Sequence, residues 1–412
     1  MGQRRRVVIT GMGAVSSIGT GLEAVEAALR VGRSGLSFVE EWKQFGILSH
    51  VGGVPQAEPD SPITTRRMLK SSTSNALMAL RASWETLTRA GLQIEEVRGT
   101  NLAVLIGSGT GSTLKNYISC RRLRDHKTSK RVSAYTVPHV MGSTASANVS
   151  VSLGVTGESW AVSSACSTGT HAIGLGALLI RSGLYDQVLA GASDELDWTK
   201  AVAFDSMRAL SRGFNDQPER ASRPFDKQRD GFVISGGAGV LLLEELDAAR
   251  RRGAPVLAEV LGYAANSDGH DMVLPLWKGA SSVMGAALTD AGLDPRQVDY
   301  VNAHGTATPQ GDPSESLAMK EVYESRQPWI SSTKSTTGHP IGPAGSLEAI
   351  YTVLMLRGGF LAPNMNLDDV DDECAHLNLV TDVDNGHEAR IAMSNSFGFG
   401  GTNASLVLRR WD

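Results

Sequence analysis

The sequence predicts a layered α/β protein built from two copies of one unit, and three observations carry that prediction. Short apolar runs alternate with longer amphipathic segments, the pattern of strands covered by helices. A twelve-residue segment recurs without a gap at a constant offset of 168 residues, with seven identical positions. A second, Gly-rich segment recurs in the same order in each half.

Element by element, Arg6-Val7-Val8-Ile9-Thr10 reads as a buried strand and Leu22 to Leu29 as a helix. Leu102 to Ile106 and Gln187 to Ala190 read as further strands, each ending at Gly, and Trp160-Ala161-Val162 as another. The charged stretch Glu244 to Gly253 reads as a seam, after which Glu259 to Ala265 starts a new strand. The expected division is therefore 1–253 and 254–412. The first echo pairs Ser163 to Gly174 with Ser331 to Gly342, each leading into an apolar helix, Leu175 to Ile180 and Leu347 to Leu356. The second pairs Asp230 to Gly237 with Asn395 to Gly401, each read as a strand, a glycine hairpin and a returning strand.

Composition removes several function classes. With 41% hydrophobic and 20% charged residues among 412, the chain has material for a core and is neither disordered nor fibrous. A net charge of −4 supplies no global field toward nucleic acid or an anionic membrane, and 6% aromatics argues against a base-stacking platform. The basic start Met1 to Arg6 is followed by too short an apolar run for a signal peptide, and no stretch approaches the ~18 apolar residues of a membrane span. Three widely spaced cysteines make neither a disulfide framework nor a zinc motif, so a reducing, cytoplasmic setting is expected. Gly11-Met12-Gly13 follows a strand but lacks the last Gly and the acidic residue of a dinucleotide loop, and it is rejected as one.

The chemistry gathers in the echoed turns. Cys166 lies where a strand passes into a helix, and a helix N-terminus stabilises thiolate and lowers its pKa from about 8.5. Cys120 and Cys374 lack that context and read as structural. His304 follows a strand in Tyr300 to Pro309, with the hydroxyls of Thr306 and Thr308 beside it. His339 occupies the duplicate turn, five residues after Lys334, while Asp312 and Glu315 are acids that orient an imidazole or pair with Lys334. The bland alternative for Asp312 is a solvated helix start. A cysteine hydrolase would leave one His and the Lys idle, and a zinc site would need recognisable spacing. Carbon–carbon bond formation through an acyl-thioester uses all four: the thiolate takes the acyl group, and two imidazoles stabilise an enolate.

Four motifs, Ser163-Ser164-Ala165-Cys166-Ser167-Thr168-Gly169, Asn302-Ala303-His304-Gly305-Thr306-Ala307-Thr308-Pro309, Ser332-Thr333-Lys334-Ser335-Thr336-Thr337-Gly338-His339 and Asn395-Ser396-Phe397-Gly398-Phe399-Gly400-Gly401, carry a resemblance over essentially the whole length. The chain resembles the β-ketoacyl-acyl carrier protein synthases, condensing enzymes of the thiolase fold, and is more similar to synthase I than to synthase II. The resemblance implies five layers, αβαβα, and a homodimer. It implies Cys166 as acyl acceptor, His304 and His339 assisting malonyl decarboxylation and holding the enolate, and Lys334 as electrostatic support with Glu315 as its partner. It further implies an oxyanion hole from the N–H groups of Cys166 and Phe399, Phe397 and Phe399 on a gating loop, and Thr306 and Thr308 on the phosphopantetheine arm. Gly107 to Gly111 would line an acyl pocket or the dimer seam, and a structural cation can lie near Asn302, Glu348, Ser394 and Asn395.

No cofactor is implied, since phosphopantetheine arrives on the carrier protein. Carrier proteins are acidic, so Arg66, Arg67, Lys70, Arg124, Lys127, Lys130 and Arg131 form a candidate docking face, against the alternative of an ordinary solvated charge run. The expected reaction is condensation of an enzyme-bound acyl group with malonyl-acyl carrier protein in fatty acid elongation. The rivals are a specialised polyketide or polyene ketosynthase, a non-catalytic chain-length-factor-like subunit, which Cys166 argues against, and a thiolase, which would carry a second catalytic Cys near the carboxyl end.

Overall fold

The computed structural model describes residues 4–55, 61–324, 326–383 and 386–412, so the first three residues of the basic start lie outside it. Ten strands form one path: β1 (Val7–Ser16), β2 (Ala103–Gly107), β3 (Ser159–Trp160), β4 (Gln187–Asp194), β5 (Gly237–Glu245), β6 (Ala258–Ser267), β7 (Tyr300–Asn302), β8 (Trp329–Ser331), β9 (Ile391–Gly398) and β10 (Thr402–Arg410). Their order is β8-β7-β9-β10-β6-β1-β5-β4-β2-β3. Read outward from β1 and from β6, the two sides have the same order and the same senses. β3 and β4 run parallel to β2, with β5 antiparallel to β4; β8 and β9 run parallel to β7, with β10 antiparallel to β9. The sides join where Val8 and Ile9 meet Glu259 and Ala258 antiparallel. The sheet is therefore mixed, with both parallel and antiparallel neighbours.

Helices cover both faces of each side. The ones that matter here are α1 (Leu22–Arg30), α2 (Ser74–Arg89), α3 (Thr113–His126), α4 (Thr144–Leu153), α5 (Thr168–Arg181), α6 (Trp198–Ser206), α7 (Trp277–Ala291), α8 (Gly311–Tyr323), α9 (Lys334–Thr337) and α10 (Ala344–Gly358). α2 and α4 lie outside the first side, α7 and α8 outside the second, and α5 packs on α10 between them. That makes five layers, αβαβα. Period-two alternation sorts the side chains: Val240 and Leu242 face α2 and α4, while Leu241 and Leu243 face the central pair. Leu406 and Leu408 likewise face the centre and Val407 faces α7. α10 is buried at every residue from Ala344 to Leu356, as a helix between two sheets must be.

Five readings of the sequence need correction. β1 does not stop at Thr10; it runs on through Gly11 and Gly13, where a Cβ would come within 2.2 Å of the Thr86 carbonyl oxygen and 2.1 Å of that of Ala82. Those glycines let α2 lie against the strand, so they are packing positions. β4 passes through Gly191, which faces the Gly239 backbone, and ends at Asp194; β3 stops at Trp160. Asp230 to Ser235 is not a hairpin strand: it makes only isolated bridges, Leu210 with Phe232, Ile234 with His339 and Gly53 with Ser235, and β5 pairs with β4 instead. The first echo also shifts register. Thr168 opens α5, but the corresponding central helix opens at Ala344, not at the Thr336 that a constant offset requires. The second copy carries an additional turn, α9, and that turn holds Lys334 and leads to His339.

Candidate active site

Cys166 sits in a single 3-10 turn, Ala165–Ser167, directly before α5. The turn is strained, since Ala165 adopts φ 49° without being glycine. Hydroxyls hold it there. Thr168 Oγ1 accepts from the Ser164 N–H at 2.9 Å and donates to the Ala165 carbonyl at 2.8 Å. Ser167 Oγ reaches the Ser396 and Thr402 carbonyls, at 3.0 and 2.6 Å, which ties the turn to β9 and β10. His171, one turn into α5, contacts Ser164 Oγ and the Ser167 carbonyl through Nδ1, both at 2.9 Å.

Around the sulfur, His339 Nε2 lies 3.0 Å from Cys166 Sγ. The His304 and His339 rings stand perpendicular, 88° apart in plane with centroids at 5.3 Å, and one nitrogen of each falls with the sulfur inside a 4.8 Å cluster. Burial holds both imidazoles well below their ordinary pKa, and the Lys334 charge adds to it; both are neutral at pH 7. The thiol departs from expectation. Burial pushes it up to about 12, although Lys334 and the backbone N–H groups of Phe399 and Cys166 favour thiolate. Here desolvation outweighs the helix terminus.

Glu315 and Lys334 do not pair, contrary to the sequence expectation. Glu315 accepts from the N–H groups of His304 at 2.8 Å and Gly305 at 2.7 Å, so it fixes the backbone that presents His304. Burial pushes its carboxyl up to about 7. Lys334, 1% exposed, pairs with Glu348 Oε1, and burial raises Glu348 to about 7 against the pull of that ammonium. Asp312 is no solvated helix start: it is fully buried and accepts from the N–H groups of Ala307 at 3.0 Å and Phe225 at 2.8 Å.

These groups open on a cavity of about 350 Å³. Thr306 and Thr308 line it with their hydroxyls 3.1 Å apart, and Phe397 meets His304 edge-on at 5.8 Å. Phe399 faces Phe204 at 6.2 Å. The segment after Phe399 turns through Gly400 and Gly401, both at positive φ, and the Gly400 N–H donates to the Met272 carbonyl at 2.8 Å. Sequence reasoning missed Phe204, Met207, Ile341, Val273 and Leu274, which also line the cavity. A signal existed for two of them: Met272-Val273-Leu274 is an apolar triplet in a loop, and all three are exposed.

Of the four residues near the suggested cation, three fit. Asn302 and Ser394 are register partners on β7 and β9, and Asn302 Oδ1, Ser394 Oγ and Glu348 Oε2 are buried oxygens without a hydrogen-bond partner in the protein. Three such oxygens suit a hard cation. Asn395 does not join them: its Oδ1 accepts from Ser405 Oγ at 2.8 Å and its amide meets Met284. The basic residues Arg66, Arg67, Lys70, Arg124, Lys127, Lys130 and Arg131 are all exposed. The Lys70 carbonyl lies 3.0 Å from His139 Nε2, in a short helix that packs on α3, the bearer of Arg124.

A buried thiol beside two neutral imidazoles, on a strained turn in a five-layer duplicated fold, defines the class of thiol acyl-transfer sites that build carbon–carbon bonds. The sequence profile described as Beta-ketoacyl synthase, N-terminal domain, matches residues 4–249, and that of the C-terminal domain matches 257–368. The chain is 42% identical over 410 residues to the 3-oxoacyl-[acyl-carrier-protein] synthase 1 of Haemophilus influenzae, covering 99% of this chain and 100% of that one. It is 43% identical to the enzyme of that name from Escherichia coli, covering 98% and 99%, and 37% identical to a synthase 2 from Vibrio cholerae, covering 99% of each. A crystal structure of a β-ketoacyl synthase from Burkholderia phymatum superposes with TM-score 0.94 at 35% identity, over 99% and 100% of the two chains. The ishigamide ketosynthase/chain length factor superposes with TM-score 0.91 at 31% identity, over the whole of both. The chain belongs to the β-ketoacyl synthase family, acyltransferases of the thiolase-like fold.

Proposed function

We propose that this chain condenses an enzyme-bound acyl group with malonyl-acyl carrier protein, releasing carbon dioxide and giving a 3-oxoacyl thioester for fatty acid elongation. The observation that carries the reading is Cys166 Sγ at 3.0 Å from a neutral His339, with a neutral His304 beside it. Cys166 Sγ bonds to the acyl carbon, the bond from that carbon to the carrier sulfur breaks, and the Cys166 proton passes to that sulfur, which leaves as the carrier thiol. The N–H groups of Cys166 and Phe399, already directed at the sulfur, hold the tetrahedral oxyanion. Malonyl then enters on its pantetheine arm, which hydrogen-bonds to Thr306 and Thr308. Loss of carbon dioxide leaves its electron pair in an enolate whose oxygen accepts from ring N–H groups of His304 and His339. That carbon attacks the acyl carbonyl, and collapse expels the Cys166 thiolate.

Neutral rings suit this task because each offers an N–H donor without needing to gain a proton. Lys334 supplies positive charge near both rings and the sulfur, and Glu315 holds His304. Asn302, Ser394 and Glu348 would hold a structural cation that takes no part in the reaction, and phosphopantetheine arrives with substrate. The exposed cations from Arg66 to Lys70 and from Arg124 to Arg131 dock an acidic carrier protein. A second copy of the chain covers the two-residue edge strand β3 and the exposed Val151 of α4 beside it, giving a homodimer. Free thiols at Cys120, Cys166 and Cys374 suit a cytoplasmic setting. The seam between the halves falls at 253/254, between β5 and β6.

The test is to incubate the protein with malonyl- and acyl-carrier proteins and weigh the products. A 3-oxoacyl product is expected from the native chain and none from Cys166→Ala. Condensation that survives in that variant, or that appears only after a second subunit is added, rejects the reading; the second result favours a chain-length-factor-like role.

A further inference from the structure

Three segments meet on one buried carboxylate that the scheme above does not use. Asp194 ends β4 and is 1% exposed. Its Oδ2 accepts from two backbone N–H groups, Gly109 at 2.9 Å and Gly342 at 3.0 Å. Its Oδ1 accepts from the Ser108 hydroxyl at 2.6 Å and from the Lys200 ammonium at 3.3 Å. Lys200, on α6, is 3% exposed and also donates to the Glu195 carbonyl at 2.8 Å. Gly109 belongs to the loop after β2 and Gly342 to the loop before α10, so this side chain joins segments far apart in sequence.

What the carboxylate holds is the wall of the reaction cavity. Ile341, next to Gly342, lines the cavity in a left-handed conformation, φ 61°, unusual for a β-branched residue. Gly109 backs it so closely that a Cβ there would come within 2.9 Å of Ile341 Cγ2. On the other side α6 carries Phe204, and Met207 follows; both line the cavity. The Gly342 carbonyl also accepts from the Gly169 N–H on the nucleophile helix at 2.9 Å. Two N–H groups converging on one carboxylate oxygen make a stronger junction than on an amide oxygen, because the bonds are charge-assisted, and an amide would also lose the acceptor that Ser108 and Lys200 share.

We propose that Asp194, paired with Lys200, is a specificity-determining positioning residue: it clasps the Gly109 and Gly342 loops and so holds Ile341 as a wall that limits acyl chain length. This rests on the acyl-transfer reading above. If the clasp is loosened, Ile341 recedes and longer chains fit. A structural ion pair with no such role would, when neutralised, lower activity toward every primer alike.

The experiment compares kcat/KM for palmitoyl- and hexanoyl-carrier protein, each with malonyl-carrier protein, in the full-length enzyme. Asp194→Asn/Lys200→Met removes both charges of the pair together. The palmitoyl-to-hexanoyl ratio is expected to rise by about ten-fold, the scale on which a pocket discriminates one or two methylenes. An unchanged ratio, with or without a uniform fall in rate, overturns the proposal. Should the double variant fail to fold, Ser108→Ala decides. It deletes one donor to Oδ1 and leaves the charges paired; a raised ratio supports the clasp and an unchanged one overturns it. Absence of condensation with either primer in the native enzyme would instead overturn the acyl-transfer reading.

Discussion

His339 Nε2 stands 3.0 Å from Cys166 Sγ while the ring itself is held neutral by burial and by the Lys334 charge. Protonation of His339 or His304 in the folded state therefore requires acid well below 6.5, their unperturbed value. The acid limb set by the two rings is expected below pH 6.5, measured as kcat/KM for malonyl-carrier protein. The same depression has a stability consequence. The unfolded chain takes up these protons more readily, so the contribution is present above about 6.5 and is lost as pH falls toward the folded values. Because burial pushes Glu315 and Glu348 up to about 7, a limb at or above 6.5 counts against neutral rings only if it persists in Glu315→Gln and in Glu348→Gln.

The pairing of Lys334 with Glu348, in place of the expected Glu315, sets up a second prediction. Both partners are almost fully buried. Lys334→Met should cost about 3 to 5 kcal/mol in a denaturant melt, because it strands a carboxylate in the interior. Lys334→Met/Glu348→Gln should recover much of that stability while leaving condensation impaired, since the positive charge near the rings and the sulfur stays absent. Equal melting of single and double variants would show that the pair is not buried as described.

Glu315 should show opposite signatures in activity and stability. Its carboxyl is raised from 4.5 to about 7 by burial, so the folded state binds the proton more tightly than the unfolded chain does. Stability from this group is present below about 4.5 and is lost as pH rises to 7. Glu315→Gln removes that slope, so its stability relative to the native chain should improve between pH 4.5 and 7. Activity should fall by about ten-fold or more, because the amide cannot accept from both the His304 and Gly305 N–H groups with two oxygens. Chemical denaturation at several pH values checks the first, and steady-state kinetics the second.

Cys166, His304, His339 and Lys334 can be singled out in the sequence because each sits in a distinctive small-residue turn, and the structure brings the sulfur and both rings into one cluster. Their partners cannot be singled out in that way. Glu315 and Glu348 are both acids within reach of the same region along the chain, and only the packing of α8 and α10 decides which one meets Lys334. The thiol pKa departs from the sequence reading for a related reason: the helix terminus is visible in sequence, but the burial that overrides it comes from packing of segments distant along the chain. The wall residues Phe204 and Ile341 carry no local signal, being ordinary apolar side chains until the backbone bends them inward. The echo at constant offset was real as similarity yet wrong as register, because α9 adds a turn to one copy and the shared Ser, Thr and Gly residues hide the gap.

Charge on the candidate docking face can be tested independently of catalysis. Lys127→Glu and Arg124→Glu lie on exposed positions with no ion pair to the cavity groups. Reversal should raise KM for malonyl-carrier protein several-fold at low salt and leave kcat little changed, with the difference shrinking as ionic strength rises and screening shortens the field. Surface plasmon resonance against immobilised carrier protein should show the change in association rate. A loss confined to kcat would place these residues in the chemistry instead of in docking.

The close approach of α2 to β1 gives the sharpest test of the fold itself. Gly11 and Gly13 lie in a fully buried strand, with the carbonyl oxygens of Thr86 and Ala82 occupying the space a Cβ would take. These are backbone atoms in mid-helix and cannot swing aside as a side-chain tip could. Gly13→Ala must therefore push α2 outward and open the layer formed by Val15, Ala79 and Val240. Overpacking of this kind costs about 1 to 3 kcal/mol, read as a lower denaturation midpoint. The Cys166 turn lies on the far face of the sheet, so the reaction rate of folded Gly13→Ala should stay near the native value at a temperature below its melt. A substitution tolerated without loss of stability would mean that strand and helix stand further apart than the buried carbonyls require.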